Sequence, residues 1–210
     1  MTSFSSNSFS KLMGSQTLLP IIQADSVEQG VNIAKAMAAS GLKLVEVVLR
    51  TNEALDVLTA IKQQVPELLV GAGTVVNRTT LQQAIDAGAD FIVTPAVSEK
   101  LLSHLSDCSL PVLPGVSNTA DILMAREFGF TELKLFPASL SGGAPFLSAI
   151  SSIFQDIKFC PTGGISLDNK AEYLSLSNVI AVGGTWVCRK DWVVNEEWQA
   201  ITDACNEAIN

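Results

Sequence analysis

The segment Glu132-Leu133-Lys134-Leu135-Phe136-Pro137 places one lysine in the middle of an apolar strand. Strand side chains alternate between two faces, so Leu133 and Leu135 point one way while Lys134 points the other with Glu132 and Phe136. An ammonium group is rarely buried unless it is paired or does chemistry. A solvated lysine is protonated at neutral pH and cannot attack a carbonyl, whereas desolvation and a neighbouring positive charge favour the neutral, nucleophilic amine. A second apolar stretch, residues 44–50, carries Glu46, Val48 and Arg50 on one face and Val45, Val47 and Leu49 on the other. A carboxylate in such a place can shuttle protons in both directions. A guanidinium at a strand end suits a ligand carboxylate, held by two parallel hydrogen bonds. These residues alone leave two alternatives open: an internal Lys134–Glu46 ion pair that only fills space, and a rim salt bridge for Arg50.

Two Gly-Gly pairs add a different chemistry. Pro161-Thr162-Gly163-Gly164-Ile165 and Val182-Gly183-Gly184-Thr185-Trp186 each follow an apolar strand. Glycines let bare backbone N–H groups approach an anion, and a helix N-terminus adds a favourable dipole. One such pair is an ordinary turn signal; two at successive strand ends point to phosphate. His104 is the only histidine and sits on a polar helical segment, where a surface position is expected. A zinc-dependent aldolase or a Ser-His-Asp hydrolase would therefore lack its usual groups.

The elements that must position these residues alternate short apolar runs with longer amphipathic ones. Strands are predicted at 19–22, 44–50, 68–73, 91–94, 112–114, 132–136, 157–161 and 179–183. Helical spacing runs through 26–39, 81–87 and 122–128, each closed by a glycine suited to a left-handed cap: Gly41, Gly88 and Gly129. Asp25, Asn77 and Asn118 are the expected N-caps. Eight βα units without a linker predict a single (β/α)8 TIM barrel over residues 19–210, preceded by an arm or short helix over 1–18. An open doubly wound sheet is the competing arrangement, weakened by the lack of GxGxxG after the first strand. In a barrel, catalytic groups gather at the C-terminal ends of the strands. Thr74, Thr94-Pro95, Lys134 with Phe136, and Thr162 meet that requirement.

Composition narrows the function classes. The net charge of −8 argues against non-specific nucleic-acid binding and against anchoring on an anionic membrane. A small anionic ligand then needs local positive potential, which backbone N–H groups can supply. The four cysteines form no CxxC pair and read as reduced thiols of a cytoplasmic protein. The serine-rich start has neither the basic region nor the apolar core of a signal peptide.

Six separated motifs resemble the 2-keto-3-deoxy-6-phosphogluconate (KDPG) aldolases, a family also called 4-hydroxy-2-oxoglutarate (KHG) aldolase. They are Leu-Val-Glu-Val-Val-Leu-Arg-Thr (44–51), Val-Gly-Ala-Gly-Thr-Val (70–75), Leu-Pro-Gly-Val (113–116), Leu-Lys-Leu-Phe-Pro-Ala (133–138), Phe-Cys-Pro-Thr-Gly-Gly-Ile (159–165) and Val-Gly-Gly-Thr-Trp (182–186). The resemblance implies a class I aldolase with no cofactor beyond a covalent imine on Lys134, commonly a homotrimer. Its implied reaction splits the phosphorylated keto-deoxy sugar acid into pyruvate and glyceraldehyde 3-phosphate, the last step of the Entner–Doudoroff route. Lys134 matches the Schiff-base lysine and Glu46 the acid/base. Arg50 and Thr74 match residues around the pyruvate carboxylate, while Pro95 and Phe136 match packing around the imine. Thr162, Gly163, Gly164, Gly184 and Thr185 match the distal hydroxyl and phosphate region. Thr185 departs from the family's serine, and Val48 from its threonine. The galactonate-derived epimer and unphosphorylated 4-hydroxy-2-oxoglutarate are further candidate substrates. A phosphosugar isomerase or synthase using Lys134 as an acid, or a non-catalytic phosphate-binding barrel, are the alternatives of other classes.

Overall fold

Glycines and short polar residues punctuate the chain as the computed structural model, which describes residues 8–209, makes plain. After helix α1 (Phe9–Met13) come β1 (Leu18–Ile22), α2 (Val27–Ala39), β2 (Leu44–Val48), α3 (Ala54–Gln64), β3 (Leu69–Gly73), α4 (Arg78–Asp86) and β4 (Phe91–Val93). Then follow α5 (Glu99–Ser106), β5 (Val112–Leu113), β6 (Gly115–Val116), α6 (Thr119–Glu127), β7 (Glu132–Leu135), α7 (Gly143–Ile150) and β8 (Lys158–Phe159). The chain ends with α8 (Lys170–Leu174), β9 (Val182–Gly184), α9 (Lys190–Val194) and α10 (Trp198–Ile209). The expectation for 1–18 falls partly on residues 1–7, which lie outside the described residues.

Helix ends follow side-chain chemistry. Asn77 and Thr80 form a reciprocal capping box at α4, and Asn118 accepts from the N–H groups of Ala120 and Asp121 at α6. Gly41, Gly88 and Gly129 all adopt φ 88°, the left-handed conformation that stops a helix. Asp25 does not cap α2. Ser26, the extended residue directly before the first helical one, accepts from Gln29 N–H instead, and the Gln29 side chain takes up Asp25 N–H. The cap must sit where the backbone turns extended, and that is one residue later than expected.

All strand pairs are parallel, in the order β5-β4-β3-β2-β1-β9 for six strands and β6-β7-β8 for three. β5 and β6 are one run broken at Pro114, which has no N–H to donate. The Pro114 carbonyl still accepts from Lys134 N–H at 2.8 Å. On the far side, parallel bridges Phe159–Val179 and Thr162–Gly183 join the chain around β8 to that around β9. The result is an α/β fold with a curled parallel sheet wrapped by helices. β2 is shorter than expected because Arg50 N–H folds back onto Val48 C=O, which takes Arg50 off the strand.

Strand alternation splits the core in two. Leu133, Leu135, Val45, Val47, Val70 and Ile92 pack outward against the helices. Leu19, Leu44, Phe91, Val93, Leu113, Cys160 and Ala181 form a separate cluster on the concave side, joined by Phe9 and Met13 of α1. Each fully buried Leu, Phe or Met contributes about 1.5–3 kcal/mol relative to exposure. Among the described residues no helix is long and apolar enough to cross a membrane.

Candidate active site

Lys134 enters the concave side of the sheet from β7 and Glu46 from β2. Lys134 is 5% exposed and Glu46 fully buried. Lys134 Nζ donates to both carboxylate oxygens, at 3.1 Å to Oε1 and 3.3 Å to Oε2. The Phe136 ring centroid lies 5.3 Å from the same nitrogen, where its negative face attracts the cation. Gly73 makes the pair possible: a β-carbon there would fall on Glu46 Oε1 and lie 2.8 Å from Cδ. Cys160 shares the interior. Burial pushes its thiol up to about 12, with the Lys134 cation opposing and the Glu46 carboxylate adding. It therefore stays protonated at neutral pH and does not compete as a nucleophile.

Arg50 is exposed at the end of β2. It does not pair with Glu46; its Nε–H donates to Thr74 Oγ1 at 3.2 Å. Thr74 itself holds φ 64°, a left-handed conformation that is a genuine outlier for a β-branched residue. Such strain persists only where the surroundings over-determine it. Pro95 packs its backbone against Gly115, where a β-carbon would meet its carbonyl carbon and oxygen. Gly115 is the register neighbour of Lys134, and its N–H is taken by the buried Thr94 hydroxyl at 2.9 Å.

A cavity of about 180 Å³ opens over these groups, bounded by Ile21, Gln23, Arg50, Lys134, Phe136, Thr162, Gly163, Gly164, Ile165, Gly184 and Thr185. The structure thus brings Lys134, Arg50, Phe136 and both Gly-Gly loops to one opening. Glu46 stands behind Lys134, and Thr74 touches the cavity through Arg50. Pro95 supports the wall beside Lys134 without lining the cavity. Gly163 and Gly164 have φ 94° and 78°. A β-carbon on Gly164 would collide with Ser139 Oγ, and one on Gly183 with Thr162 Oγ1, so bare backbone is required at both. Asn169 fixes the first loop by donating to Gly164 C=O at 2.9 Å and accepting from Ser166 N–H at 2.8 Å. His104, expected on the surface, is half-buried on α5 and does not line this opening.

Gln23, Gly73 and Asn169 were not singled out from sequence. Gln23 carries a readable signal, a polar residue just past an apolar strand. Gly73 and Asn169 carry none, because their roles depend on partners distant in sequence or on loop shape. A larger cavity of about 560 Å³ adjoins the first and shares Ile21, Gln23 and Thr185 with it. Lys134 lines the smaller one only.

The family model described as "KDPG and KHG aldolase" matches residues 10–204. The chain is 42% identical over 192 residues to the 2-dehydro-3-deoxy-phosphogluconate aldolase of Pseudomonas aeruginosa, covering 91% of this chain and 87% of that one. It superposes on the KDPG aldolase of Legionella pneumophila, in which pyruvate was captured as a covalent carbinolamine intermediate. That match has a TM-score of 0.91 at 35% identity, over 94% of this chain and 96% of the other. The 2-keto-3-deoxy-6-phosphogluconate aldolase of Zymomonas mobilis ZM4, solved with 3-phosphoglycerate, gives 0.86 at 36% identity, over 94% and 93%.

Proposed function

The chain belongs to the KDPG and KHG aldolase family, and from that premise we propose that it is a class I aldolase acting through an imine on Lys134. It cleaves 2-keto-3-deoxy-6-phosphogluconate to pyruvate and glyceraldehyde 3-phosphate, and 4-hydroxy-2-oxoglutarate to pyruvate and glyoxylate. The observation that carries this reading is the buried Lys134–Glu46 pair, 3.1 Å apart, with Lys134 at the base of an open cavity.

In this reading Glu46 takes a proton from Lys134, and the neutral amine adds to the substrate's ketone carbon to give a carbinolamine. Glu46 returns that proton to the departing hydroxyl, and loss of water leaves a protonated imine, which is an electron sink. Glu46 removes the proton of the hydroxyl on the far carbon of the scissile bond. That bond breaks, the aldehyde departs, and its electron pair forms an enamine. Glu46 returns a proton to the enamine carbon, and water hydrolyses the resulting imine to pyruvate. One carboxylate serves both proton steps because they fall on adjacent carbons of one bound molecule. Arg50 and Thr74 hold the carboxylate end, with Pro95 and Phe136 packing around the imine. Thr162, Gly163, Gly164, Gly184 and Thr185 hold the hydroxyl and phosphate end. Fixing both ends orients the reacting carbons, an effect worth on the order of several kcal/mol. The covalent chemistry needs no cofactor.

The same reading makes residues 19–210 one closed (β/α)8 barrel. The parallel bridges from β8 to the β9 region and the hydrogen bond from Lys134 to Pro114 support it. It also carries over the family's homotrimer and a cytoplasmic setting. Leu140 and Ile153, 84% and 67% exposed, offer apolar surface to such an assembly, and light scattering tests it.

Borohydride reduction with pyruvate is the direct test of the chemistry. It leaves a stable adduct on Lys134, read by peptide mass. An adduct elsewhere, or none, overturns the mechanism.

A further inference from the structure

Glu132 lies on the same face of β7 as Lys134, yet it takes no part in the chemistry above. Its carboxylate points to the opposite end of the strand and holds α1. Phe9 N–H donates to Oε2 at 2.6 Å, and Ser10 N–H donates to the two oxygens at 3.2 and 3.3 Å. These are N–H groups that a helix start leaves without internal partners, and an anion is favoured there. A five-residue helix does not hold itself together. Glu132 supplies one anchor, and Phe9 and Met13, buried in the concave cluster, supply the other.

We propose that α1 is the floor of the reaction chamber, and that Glu132 is a positioning residue that keeps this floor shut beneath Lys134 and Glu46. The layers stack in order. Phe9 meets Phe91 edge-on, with ring centroids 5.4 Å apart. Phe91 and Cys160 belong to the same cluster as Phe9. The Cys160 thiol in turn feels the charges of both Lys134 and Glu46. Outside the floor, a cavity of about 270 Å³ is bordered by Ser8, Phe9, Thr131 and Glu132. The Phe9–Glu132 seam therefore stands between that cavity and the dry layer under the reactive pair. Water entering from below would weaken the Lys134–Glu46 interaction and exchange the proton that Glu46 must return to the enamine.

The kinetic part of this proposal rests on the aldolase reading; the thiol part does not. The test uses the full chain with Glu132→Leu, which loses both acceptors, and Glu132→Gln, which keeps one. Each cysteine is modified with methyl methanethiosulfonate and followed by peptide mass. Cys205, fully buried in the outer core, reports global unfolding. In Glu132→Leu, Cys160 is expected to react about 10-fold faster while Cys205 is unchanged, the signature of local opening. The same variant should lose about 10-fold in kcat with KM within about 2-fold, and Glu132→Gln should recover most of both. Should Glu132→Leu not fold, Phe9→Ala keeps the carboxylate and removes the plug, with the same outcomes expected. Cys160 and Cys205 rising together, Cys160 staying protected, or an exposed Cys160 with unchanged kcat each overturns the proposal. A wild-type chain that forms no imine overturns the aldolase reading instead, and Cys160 labelling still decides the floor.

Discussion

Lys134 Nζ and Glu46 Oε1 stand 3.1 Å apart although 88 residues separate them in the chain. Neither is visible to bulk water to more than a few per cent. Removing two such charges from water costs several kcal/mol per ion, and apolar residues of similar volume often stabilise a core as well or better. The pair is therefore poorly explained as a stability device. The proposed roles of nucleophile and proton carrier, by contrast, require the two groups to stand within one hydrogen bond of each other.

Lys134→Met should separate these roles. It leaves the Glu46 carboxylate buried without its cation, and breaking such a pair costs about 3–5 kcal/mol. Adding Glu46→Leu removes the stranded charge and should recover most of that loss. Urea midpoints of the single and double variants measure the difference, and neither should release pyruvate. A single variant as stable as the wild type would show that the ion pair is not energetically coupled.

Gly73→Ala acts on the same carboxylate without touching either charge. The new methyl takes the place of Glu46 Oε1, so the carboxylate must rotate or retreat. Displacing a catalytic group by about 1 Å costs roughly 10²-fold in rate. Turnover should fall by that order while circular dichroism stays native. Full activity would mean that the Glu46 position seen here is not the working one.

Thr74→Gly should divide stability from binding. Glycine relaxes the strained φ of 64°, a gain of about 1 kcal/mol after its own backbone entropy is counted. It also removes the hydroxyl that accepts from Arg50 Nε. Thermal stability should rise, KM should rise several-fold and kcat should stay within about 2-fold. A lower KM would take Thr74 out of the carboxylate subsite.

Period-two alternation was enough to place Leu133 and Leu135 outward and Lys134 inward, and to put Glu46 on the facing side of another strand. Gly41, Gly88 and Gly129 announced their helix ends because only their backbone adopts that conformation readily. What stayed hidden depends on contacts far apart in sequence. Gln16 stitches β1 to β2 by donating to Leu18 and Leu44 carbonyls and accepting from Lys43 and Leu44 N–H groups. Nothing near Gln16 in the chain signals that. The apolar run past Val48 predicts a strand that carries Arg50 on the Glu46 face, but the backbone turn there takes it off the strand to the rim. Gly73 reads as an ordinary strand glycine until Glu46 is seen beside it.

Stability should fall steeply on the alkaline side, and buried thiols give the reason. Burial pushes Cys160, Cys188 and Cys205 each from 9.0 up to about 12. For Cys160 the Lys134 cation works against that rise without cancelling it. Between pH 9 and about 12 the unfolded thiol has lost its proton while the folded one keeps it. The native state then binds more protons, so unfolding free energy decreases as pH rises. This contribution is complete below pH 9 and is lost as pH climbs through about 12. One fully buried thiol accounts for a slope of up to about 1.4 kcal/mol per pH unit, or on the order of 4 kcal/mol over the window. Cys160→Ala removes one titration and adds a small packing loss that does not vary with pH. Its urea midpoint, plotted from about pH 8 to 11, should start below the wild type and converge toward it as the thiols titrate. Parallel curves would show that Cys160 ionises no later in the folded chain than in the unfolded one, and that the interior beneath Lys134 is wet.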